Sequence, residues 1–271
     1  MKQVICISWG TKYGAPYIRR LFGMVRRNIT PPFTFTCFCD DPEGLRGALD
    51  PEIRLAPMPP FAGPLPVGTT GKWRKSCLWH RDLGGLEGPV LFIDLDVVVT
   101  GPLDPFFDHG DPDDVILARN AAKPFQRRGQ TSIYRMPAGK LAPLWDRMAE
   151  GAQQIAETYR FEQHFVTDNA PGGVRFWPRA WVRHFRIECV PPFPLNYVAA
   201  PRLPRGARVV IFAGRLNPDD AAAGRWGAAE EILPHLPPRA HVARALREGH
   251  GFGGVRRYLR PTRWVADLWR P

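Results

Sequence analysis

No stretch of this 271-residue sequence approaches the roughly 18 consecutive apolar residues that a membrane-spanning helix needs, so no span is predicted. The opening segment MKQVICISWG has neither a charged leader nor a cleavage site, and no signal peptide is predicted. Hydrophobic residues make up 44% and charged residues 23%, which is typical of a globular chain and excludes a disordered one. We therefore expect a globular protein in the cytoplasm.

Cysteine is also scarce. The five cysteines are an odd number without the spacing of a disulfide framework. Two of them, Cys37 and Cys39, lean to one face of a predicted strand, but no second pair and no nearby histidine accompanies them. Buried free thiols in a reducing compartment are therefore favoured over a metal site.

Acidic residues are too few to balance the basic ones. The 26 acidic residues stand against 37 lysines and arginines, which leaves a net charge of +11 and a pI near 9.9. This charge suits an anionic partner such as nucleic acid, an acidic lipid surface or a phosphorylated small molecule. The arginines are spread along the chain, and the glycine-, aromatic- or zinc-based signatures of nucleic-acid modules are missing. Nucleic acid is therefore not an expected partner.

Strands and helices alternate from the start of the chain. Residues 3–10 (QVICISWG) and 32–41 (PFTFTCFCDD) read as strands, and residues 15–28 between them have the apolar spacing of a helix. Both strands end in polar residues, and in open α/β sheets ligands gather at the carboxyl ends of the strands. The sequence has no internal repeat. This pattern favours an α/β sheet over an all-α or all-β fold.

The rest of the chain continues the alternation. Residues 56–71 are too rich in proline and glycine to form a helix or strand, and they predict a loop of the length that usually carries function. The remaining predictions are a helix over 72–85, strands over 115–120 and 131–136, mainly helix over 140–170, strands over 173–178 and 207–214, and short basic helices over 242–249 and 255–269.

Two aspartates interrupt the apolar run VLFIDLDVVVTG, which spans residues 90–101. If the run is one strand, Asp94 and Asp96 point to the same face and repel each other, so a proton or a cation must lie near them. Carboxylate oxygens in this spacing suit Mg²⁺ or Mn²⁺, which take part of their shell from substrate phosphates. The alternative is an acidic pair that binds a buried arginine or caps a turn.

The same run fits the phosphatases of the haloacid-dehalogenase type superficially, because they place DxDx[TV] after a hydrophobic strand. Two features count against them. The motif follows about ninety residues that already contain two strands, and the later acidic pair Asp113 and Asp114 precedes its strand instead of ending it.

Several sequence blocks around the motif resemble those of the nucleotide-sugar-dependent glycosyltransferases of the GT-A fold. Within that fold they are most similar to the bacterial and glycogenin-like group. They occur in the family's order over residues 1–220: FTCFCDDPEGL, KWRKSCLWHRDLGGLEGPVLFIDLDVVVTGPLDPFF, QTSIYRM, FEQHFVTDN and VVIFAGRLNP. The resemblance implies a Rossmann-like mixed sheet flanked by helices, with a catalytic domain over 1–220. A short basic helical extension over 221–271 is expected to pack on it.

The resemblance implies a divalent cation, Mn²⁺ or Mg²⁺, that bridges the donor diphosphate. Asp96 would coordinate this cation, and Asp94 would contact both the ribose and the metal. The family's histidine ligand is missing, because Ile211 and Ala213 occupy the two places where it is found and Asn217 stands for a lysine. A weak metal requirement is therefore expected.

The nucleoside is expected to bind after the first two strands. Ser8 and the following residues would hold the base, with Trp9 or Tyr13 stacking on it, and Asp40 would bind the edge of the base or ribose. Ordinary core packing is the alternative for both aromatic residues.

The diphosphate is expected to meet basic residues. Lys72 and Lys75 lie one helical turn apart, so both can reach one phosphate, although a solvated helix face is the alternative. In the late block IFAGRLNP, Gly214 and Arg215 would lie against the donor, with Arg215 neutralising diphosphate charge.

The sugar and acceptor side is assigned to another block. Glu162 and Gln163 stand where the family usually has Asp-Gln, and they are the predicted catalytic pair. The stretch from Gln130 to Ser132 replaces the family's Asn-Ser, which makes Ser132 a predicted substrate contact.

We therefore predict a cytoplasmic hexosyltransferase that moves a hexose-type sugar from a nucleoside-diphosphate sugar, with UDP expected, to a glycan, lipid-linked or protein acceptor. The resemblance implies retention at the anomeric carbon. The rival interpretation is a nucleotide-sugar-binding protein without transfer activity, favoured by the missing histidine.

The C-terminal residues 239–271 combine eight arginines with two acids and interleave Tyr258, Trp264, Leu268 and Trp269. Such a segment suits peripheral contact with an anionic membrane at its inner face. The alternative is that these helices pack their apolar stripe inward and expose the arginines to water.

Overall fold

The computed structural model describes residues 1–69, 73–214, 216–226 and 235–271. The chain forms two compact units. The first comprises Met1–Leu95 and Pro102–Arg179, and the second comprises Asp96–Gly101 and Ala180–Pro271. The boundary at residue 220 between a catalytic domain and a C-terminal extension stays a prediction.

The secondary structure follows the predicted alternation. The strands are β1 (Lys2–Ser8), β2 (Phe33–Cys39), β3 (Ile53–Pro57), β4 (Pro89–Ile93), β5 (Val97–Val99), β6 (Val115–Arg119), β7 (Gly129–Pro137), β8 (Val174–Phe176), β9 (Val182–His184) and β10 (Val209–Ile211). The α-helices are α1 (Gly14–Asn28), α2 (Pro42–Arg46), α3 (Asp104–Asp108), α4 (Ala142–Tyr159), α5 (Glu162–Asn169), α6 (Pro218–Ala223), α7 (Pro238–Arg247), α8 (Gly251–Arg256) and α9 (Arg263–Leu268).

The first unit is built on a mixed sheet with the strand order β3-β2-β1-β4-β7-β6-β8. The strands β3, β2, β1 and β4 run parallel, while β7 is antiparallel to both β4 and β6. The last five residues of both β1 and β2 are buried, as expected for parallel strands covered on both faces. The predicted α/β fold, a mixed sheet flanked by helices, is confirmed.

Helix α1 illustrates how the sequence pattern becomes packing. Its apolar residues recur every three or four positions, and Ile18, Leu21, Phe22 and Val25 are all buried. Two arginines in the last turn, Arg26 and Arg27, complement the negative end of the helix dipole. This helix connects β1 to β2, and the two strands are neighbours in the sheet. Parallel neighbours need a long crossover connection, and the helix is long enough to provide it.

The predicted helix over 72–85 is wrong in type and length. Its described part is a 3₁₀ helix, Trp73–Trp79, in which every residue except Arg74 is buried. The tighter 3₁₀ winding, followed by Gly84 and Gly85 at positive φ, holds this short segment inside the first unit.

The aspartates of the DxD run are not on one strand. Strand β4 ends at Ile93, residues 94–96 form a turn, and β5 then begins at Val97 in a different sheet. Asp94 and Asp96 therefore do not share a strand face, and that prediction is wrong. The turn at Leu95 and Asp96 takes Asp96 out of the apolar strand, while Asp94 keeps one backbone hydrogen bond to Ser132 of β7.

The second unit contains the sheet β5-β10-β9. Strand β10 is antiparallel to β5 and parallel to β9, and its Ile211 is registered with Val97 on one side and His184 on the other. The short strands β3 and β9 were not predicted. They are only five and three residues long, so the sequence pattern that marks them is weak.

The predicted basic helices at the C-terminus are present. Tyr258 is only 4% exposed and Trp269 only 7% exposed. Leu259 and Val265 of the same segment are also buried. These side chains therefore pack inside the second unit, and contact of the segment with a membrane stays a prediction. Among the described residues, no helix is long and apolar enough to cross a membrane.

All five cysteines are free and buried. Burial raises the pKa of Cys77 to about 12 and that of Cys189 to about 12. A hydrogen bond with Cys37 and burial raise the pKa of Cys39 as well. These three thiols stay protonated at neutral pH, and the burial of all five cysteines agrees with the interpretation as buried free thiols.

Candidate active site

Polar side chains gather at the carboxyl ends of the parallel strands of the first unit. Ser8 ends β1 and is 5% exposed. Asp40 follows β2, and its Oδ2 accepts a hydrogen bond of 2.8 Å from the backbone N–H of Gly10. Strands β1 and β2 are sheet neighbours in parallel register, so the first two predicted nucleoside-binding segments meet at one edge.

The two aromatic residues predicted for base stacking have partners within the protein. Trp9 is half-buried and packs against the core of the first unit. The centroid of the Tyr13 ring lies 4.7 Å from that of the Tyr17 ring and 4.4 Å from the Lys12 ammonium. Stacking of a base on either residue stays a prediction.

The carboxyl end of β4 carries a poorly exposed ion pair. The Lys75 ammonium lies 2.7 Å from Asp94 Oδ2, and the two side chains are only 11% and 17% exposed. The backbone N–H of Asp94 also donates to the carbonyl of Ser132 at 2.8 Å, which anchors the turn to β7. Charges this poorly solvated interact more strongly than a surface pair, so Lys75 and Asp94 hold each other in one arrangement.

A second carboxylate is joined to this pair through Thr131. The Lys75 ammonium donates to the Thr131 carbonyl at 3.3 Å, and the Thr131 hydroxyl donates to Glu162 Oε1 at 2.5 Å. Glu162 is the first residue of α5 and is 5% exposed. The structure therefore brings Asp94, Lys75 and Glu162 into one hydrogen-bonded network, in which Thr131 is a link that the sequence did not reveal.

The neighbouring predicted residues are close to this network along the chain. The backbone N–H of Ser132 donates to the side-chain oxygen of Gln130 at 2.6 Å. Gln163 follows Glu162 in the first turn of α5, is half-buried, and its carbonyl accepts from Thr167. Contacts of Ser132 and Gln163 with a substrate stay predictions.

A buried phenol borders the same network. Tyr134 is 1% exposed, its hydroxyl has no hydrogen-bond partner among the described residues, and its ring lies 5.2 Å from Phe92. Burial raises the pKa of Tyr134 well above its ordinary value, and the carboxylates of Glu162 and Asp94 raise it further. The phenol therefore stays neutral and gives the network an apolar wall.

Two of the remaining predicted site residues, Gly214 and Asp96, lie in the second unit. Lys72 and Arg215 lie outside the described residues. Gly214 belongs to the second unit, is exposed, and has a φ of +92° that a residue with a Cβ atom rarely adopts. Asp96 is half-buried and begins the second unit directly before β5.

The donor set does not fit a cation held by the protein alone. Across the described ranges, no three His, Cys, Asp or Glu side chains are grouped to hold a metal ion. Asp94 already has an ammonium on one carboxylate oxygen. A hard divalent cation takes six or more oxygen ligands, so most of its shell would have to come from the nucleotide and water.

A histidine lies beside Ile211, one of the two positions at which the glycosyltransferases that this sequence resembles have a histidine metal ligand. His184 ends β9 in register with Ile211 and is 6% exposed. Its Nδ1 has no hydrogen-bond partner in the described part of the chain. Burial lowers the pKa of His184 to about 4, with the charge of Arg186 adding to the effect, so the imidazole is neutral near pH 7.

His184 is expected to make the protein less stable in acid. The folded state holds the imidazole neutral down to about pH 4, whereas the unfolded chain binds a proton near pH 6.5. The unfolded state therefore binds more protons between these values, and stability is lost as the pH falls through this window. We expect a loss of about 3 kcal/mol from this group.

Urea unfolding at several pH values measures this effect. The slope of stability against pH between 4 and 6.5 should be smaller in His184→Asn than in the wild type. Equal slopes in the wild type and His184→Asn would show that His184 does not titrate with unfolding.

The sequence matches no protein-family model and no curated protein. Solved structures are similar in fold. The galactosyltransferase LgtC in complex with donor and acceptor sugar analogues superposes with a TM-score of 0.55 and 15% identity, over 80% of this chain and 88% of that chain. An active-site mutant of LgtC gives a TM-score of 0.51 and 14% identity, over 80% and 89%.

These likenesses confirm the predicted fold class. The mixed sheet flanked by helices is that of the GT-A glycosyltransferases. At 15% identity the likeness establishes the fold, and the chemistry has to be argued from this chain's own residues.

Proposed function

We propose that this chain is a glycosyltransferase that moves a hexose-type sugar from a nucleoside-diphosphate sugar, with uridine as the base, to an acceptor hydroxyl. The observation that carries the proposal is the buried network of Lys75, Asp94, Thr131 and Glu162 at the carboxyl end of β4. Two carboxylates and an ammonium are costly to bury, and a structural role alone would be served better by apolar residues. Its position at the carboxyl end of β4 supports the proposal, because ligands of open α/β sheets bind at the carboxyl ends of strands.

The donor nucleoside is proposed to bind where β1 and β2 end. The Gly10 N–H and the Asp40 carboxylate already meet there, and Ser8 lies at the same edge. An exposed carboxylate beside a turn is suited to accept hydrogen bonds from ribose hydroxyls or the base edge. Ser8 ends β1 and Asp40 directly follows β2, so the sheet positions these groups before the ligand arrives.

The sugar-transfer step is proposed to occur beside the buried network. The bond between the anomeric carbon and the diphosphate oxygen breaks, and the electron pair stays on that oxygen. The acceptor oxygen bonds to the same carbon, and the proton of the acceptor hydroxyl passes to the departing diphosphate. Negative charge that builds on the diphosphate is stabilised by three basic residues. Lys75 is in the described part of the chain, and Lys72 and Arg215 are predicted from the sequence. Glu162 and Gln163 are proposed to orient the sugar and the acceptor hydroxyl. Retention of stereochemistry is implied by the family resemblance.

A cation, Mn²⁺ or Mg²⁺, is proposed to arrive with the nucleotide. Asp94 and Asp96 would contribute to its shell, and the diphosphate and water would supply the other oxygens. When bound it would neutralise diphosphate charge. The absence of a three-residue protein site among the described residues supports weak binding to the free protein.

The acceptor is proposed to be a glycan, a lipid-linked sugar or a protein. The five reduced, buried cysteines support a cytoplasmic location, because thiols persist there without pairing.

Thermal denaturation with nucleotides tests the donor. A ligand that binds only the folded state stabilises it by about 2.7 kcal/mol at a hundred times its Kd, so UDP or a UDP-hexose should raise the Tm by about 5 °C or more. The nucleoside alone should shift it little. Mn²⁺ alone should give little heat in calorimetry, whereas Mn²⁺ with the diphosphate present should show clear binding.

Activity assays on the same samples separate the alternatives. Release of UDP with transfer or donor hydrolysis supports the glycosyltransferase. A thermal shift without either reaction supports a nucleotide-sugar-binding protein. Release of inorganic phosphate from phosphate monoesters, with no shift by any nucleoside diphosphate, would overturn the proposal in favour of a phosphatase. Tight Mn²⁺ binding without nucleotide would show a resident metal site.

A further inference from the structure

Large apolar side chains are exposed along two stretches of the second unit. A single exposed apolar residue is ordinary, but several close together mark an interaction surface. In the first unit the comparable exposed residues are scattered singly. The exposed residues of the second unit are Ile187 (41%), Phe193 (37%), Leu195 (55%), Val198 (73%), Leu246 (63%) and Phe252 (63%).

The two stretches meet through an aromatic pair. The Phe193 and Phe252 rings lie 5.3 Å apart in an edge-to-face arrangement. Phe252 belongs to α8, whereas Phe193 directly precedes the turn that contains Leu195. Residues nearly sixty positions apart in the sequence therefore form one surface.

The inner side of this surface is held firmly. The Asn196 amide, 3% exposed, donates to the Tyr258 carbonyl at 2.7 Å. The Tyr197 hydroxyl donates to the Val255 carbonyl at 2.6 Å, and the Tyr197 ring stacks on Tyr258 at 4.4 Å. These contacts make the surface part of the fold, not a loose loop.

The outer side follows from the helix type. Leu195–Tyr197 is a 3₁₀ helix, in which side chains three positions apart lie on the same side. Val198 directly follows this helix, three positions after Leu195, and both side chains are exposed whereas Asn196 is buried. We call Phe193, Leu195, Val198 and Phe252 the exposed apolar face.

Basic charge is concentrated in the C-terminal segment that contributes Phe252 to this face. Residues 235–271 carry eight arginines and two acids, a net charge of +6 out of +11 for the whole chain. The Arg256 guanidinium lies 5.7 Å from the Phe252 ring, so charge and apolar surface are adjacent. Arg247, Arg256 and Arg257 are all exposed.

We propose that the exposed apolar face and these arginines dock the protein on an anionic lipid bilayer. Aromatic and aliphatic side chains enter the boundary between headgroups and acyl chains, while arginines remain at the phosphates. Leu195 and Val198 offer nothing for stacking on bases, which favours lipid over nucleic acid as the anionic partner. The C-terminal aromatic residues named from the sequence are mostly buried, so Phe193 and Phe252 take their place. This docking involves residues of the second unit alone and is independent of the proposed transferase activity.

Co-sedimentation with vesicles tests the docking. The wild type should sediment with vesicles of equal parts phosphatidylcholine and phosphatidylglycerol at low salt, release at high salt, and ignore pure phosphatidylcholine. Arg247→Gln, Arg256→Gln and Arg257→Gln together should weaken binding about a hundredfold. Phe193→Ser with Phe252→Ser should weaken it at least tenfold.

Matched variants separate docking from general effects. Arg19→Gln, Arg46→Gln and Arg179→Gln remove the same charge from exposed positions of the first unit and should weaken binding far less. Phe125→Ser removes a fully exposed aromatic residue from the first unit and should change nothing. Leu195→Ser with Val198→Ser alters two well-exposed positions, so it tests the face even if the double phenylalanine variant is unstable.

Three outcomes would overturn the proposal. The first is no sedimentation with anionic vesicles at low salt. The second is an equal loss of binding in the arginine variants of both units, which would indicate net charge without a docking face. The third is that the wild type is a dimer, that the Leu195 and Val198 changes dissociate it, and that they leave sedimentation unchanged. This result would assign the exposed apolar face to a second copy of the chain.

Discussion

The Asp96→Asn variant is expected to fold like the wild type and to lose sugar transfer and donor hydrolysis by about a hundredfold or more. Asp96 lies in the turn between β4 and β5, outside the hydrogen-bonded ladders of both strands. The exchange therefore removes charge without removing a strand pairing. In the proposed complex, a carboxylate at this position fixes the positive charge that must lie between it and the diphosphate.

The measurement is the rate of UDP release from a UDP-hexose, with the Tm as the test of folding. Asp267→Asn is the matched control, because Asp267 is an exposed aspartate of the same unit and its exchange should leave the rate unchanged. A folded Asp96→Asn protein with the wild-type rate would contradict a role for the DxD run at the diphosphate. Unfolding of the variant together with phosphatase activity of the wild type would favour the phosphatase interpretation.

Lys75→Met is expected to lower the free energy of unfolding by about 3 kcal/mol or more and to abolish most transfer. The Asp94 side chain is only 17% exposed and depends on the Lys75 ammonium at 2.7 Å. Removing the ammonium leaves a poorly solvated carboxylate without its partner charge, and it also frees the Thr131 carbonyl that Lys75 binds.

A double-mutant cycle separates this coupling from simple loss of packing. In Lys75→Met with Asp94→Asn the unpaired charge is gone, so part of the stability should return, and urea unfolding measures it. Lys123→Met, at an exposed lysine of the same unit, should change stability by no more than about 0.5 kcal/mol. Additive effects of the Lys75 and Asp94 exchanges would show that the ion pair contributes nothing.

Much of the fold could be predicted from local sequence. The strands β1, β2, β4, β6 and β7 are short apolar runs bounded by turn residues, and α1 carries an apolar stripe at helical spacing. These signals depend only on neighbouring residues, because a buried strand or an amphipathic helix must show its burial in its own composition.

The local pattern failed where burial was complete or where elements were short. Residues 73–79 are apolar and basic at a spacing that also suits an α-helix, and only their enclosure favours a 3₁₀ helix. The run VLFIDLDVVV is apolar at both ends, so composition could not show that the chain leaves the sheet at Asp94. Pairing of β5 with β10 decides this, and those strands are more than a hundred residues apart.

The sequence by itself determined the α/β class, the edge of the sheet where polar residues collect, and the residue types of the candidate site: Asp94, Lys75 and Glu162. Only the tertiary structure decided that these three are linked, because Thr131 of β7 connects them and no spacing rule relates residues 75, 94, 131 and 162. The same holds for the exposed apolar face, where Phe193 meets Phe252 across a long separation. The chemistry of each residue and its near neighbours can be read from the sequence, whereas contacts between distant segments form only when the whole sheet and its helices have packed.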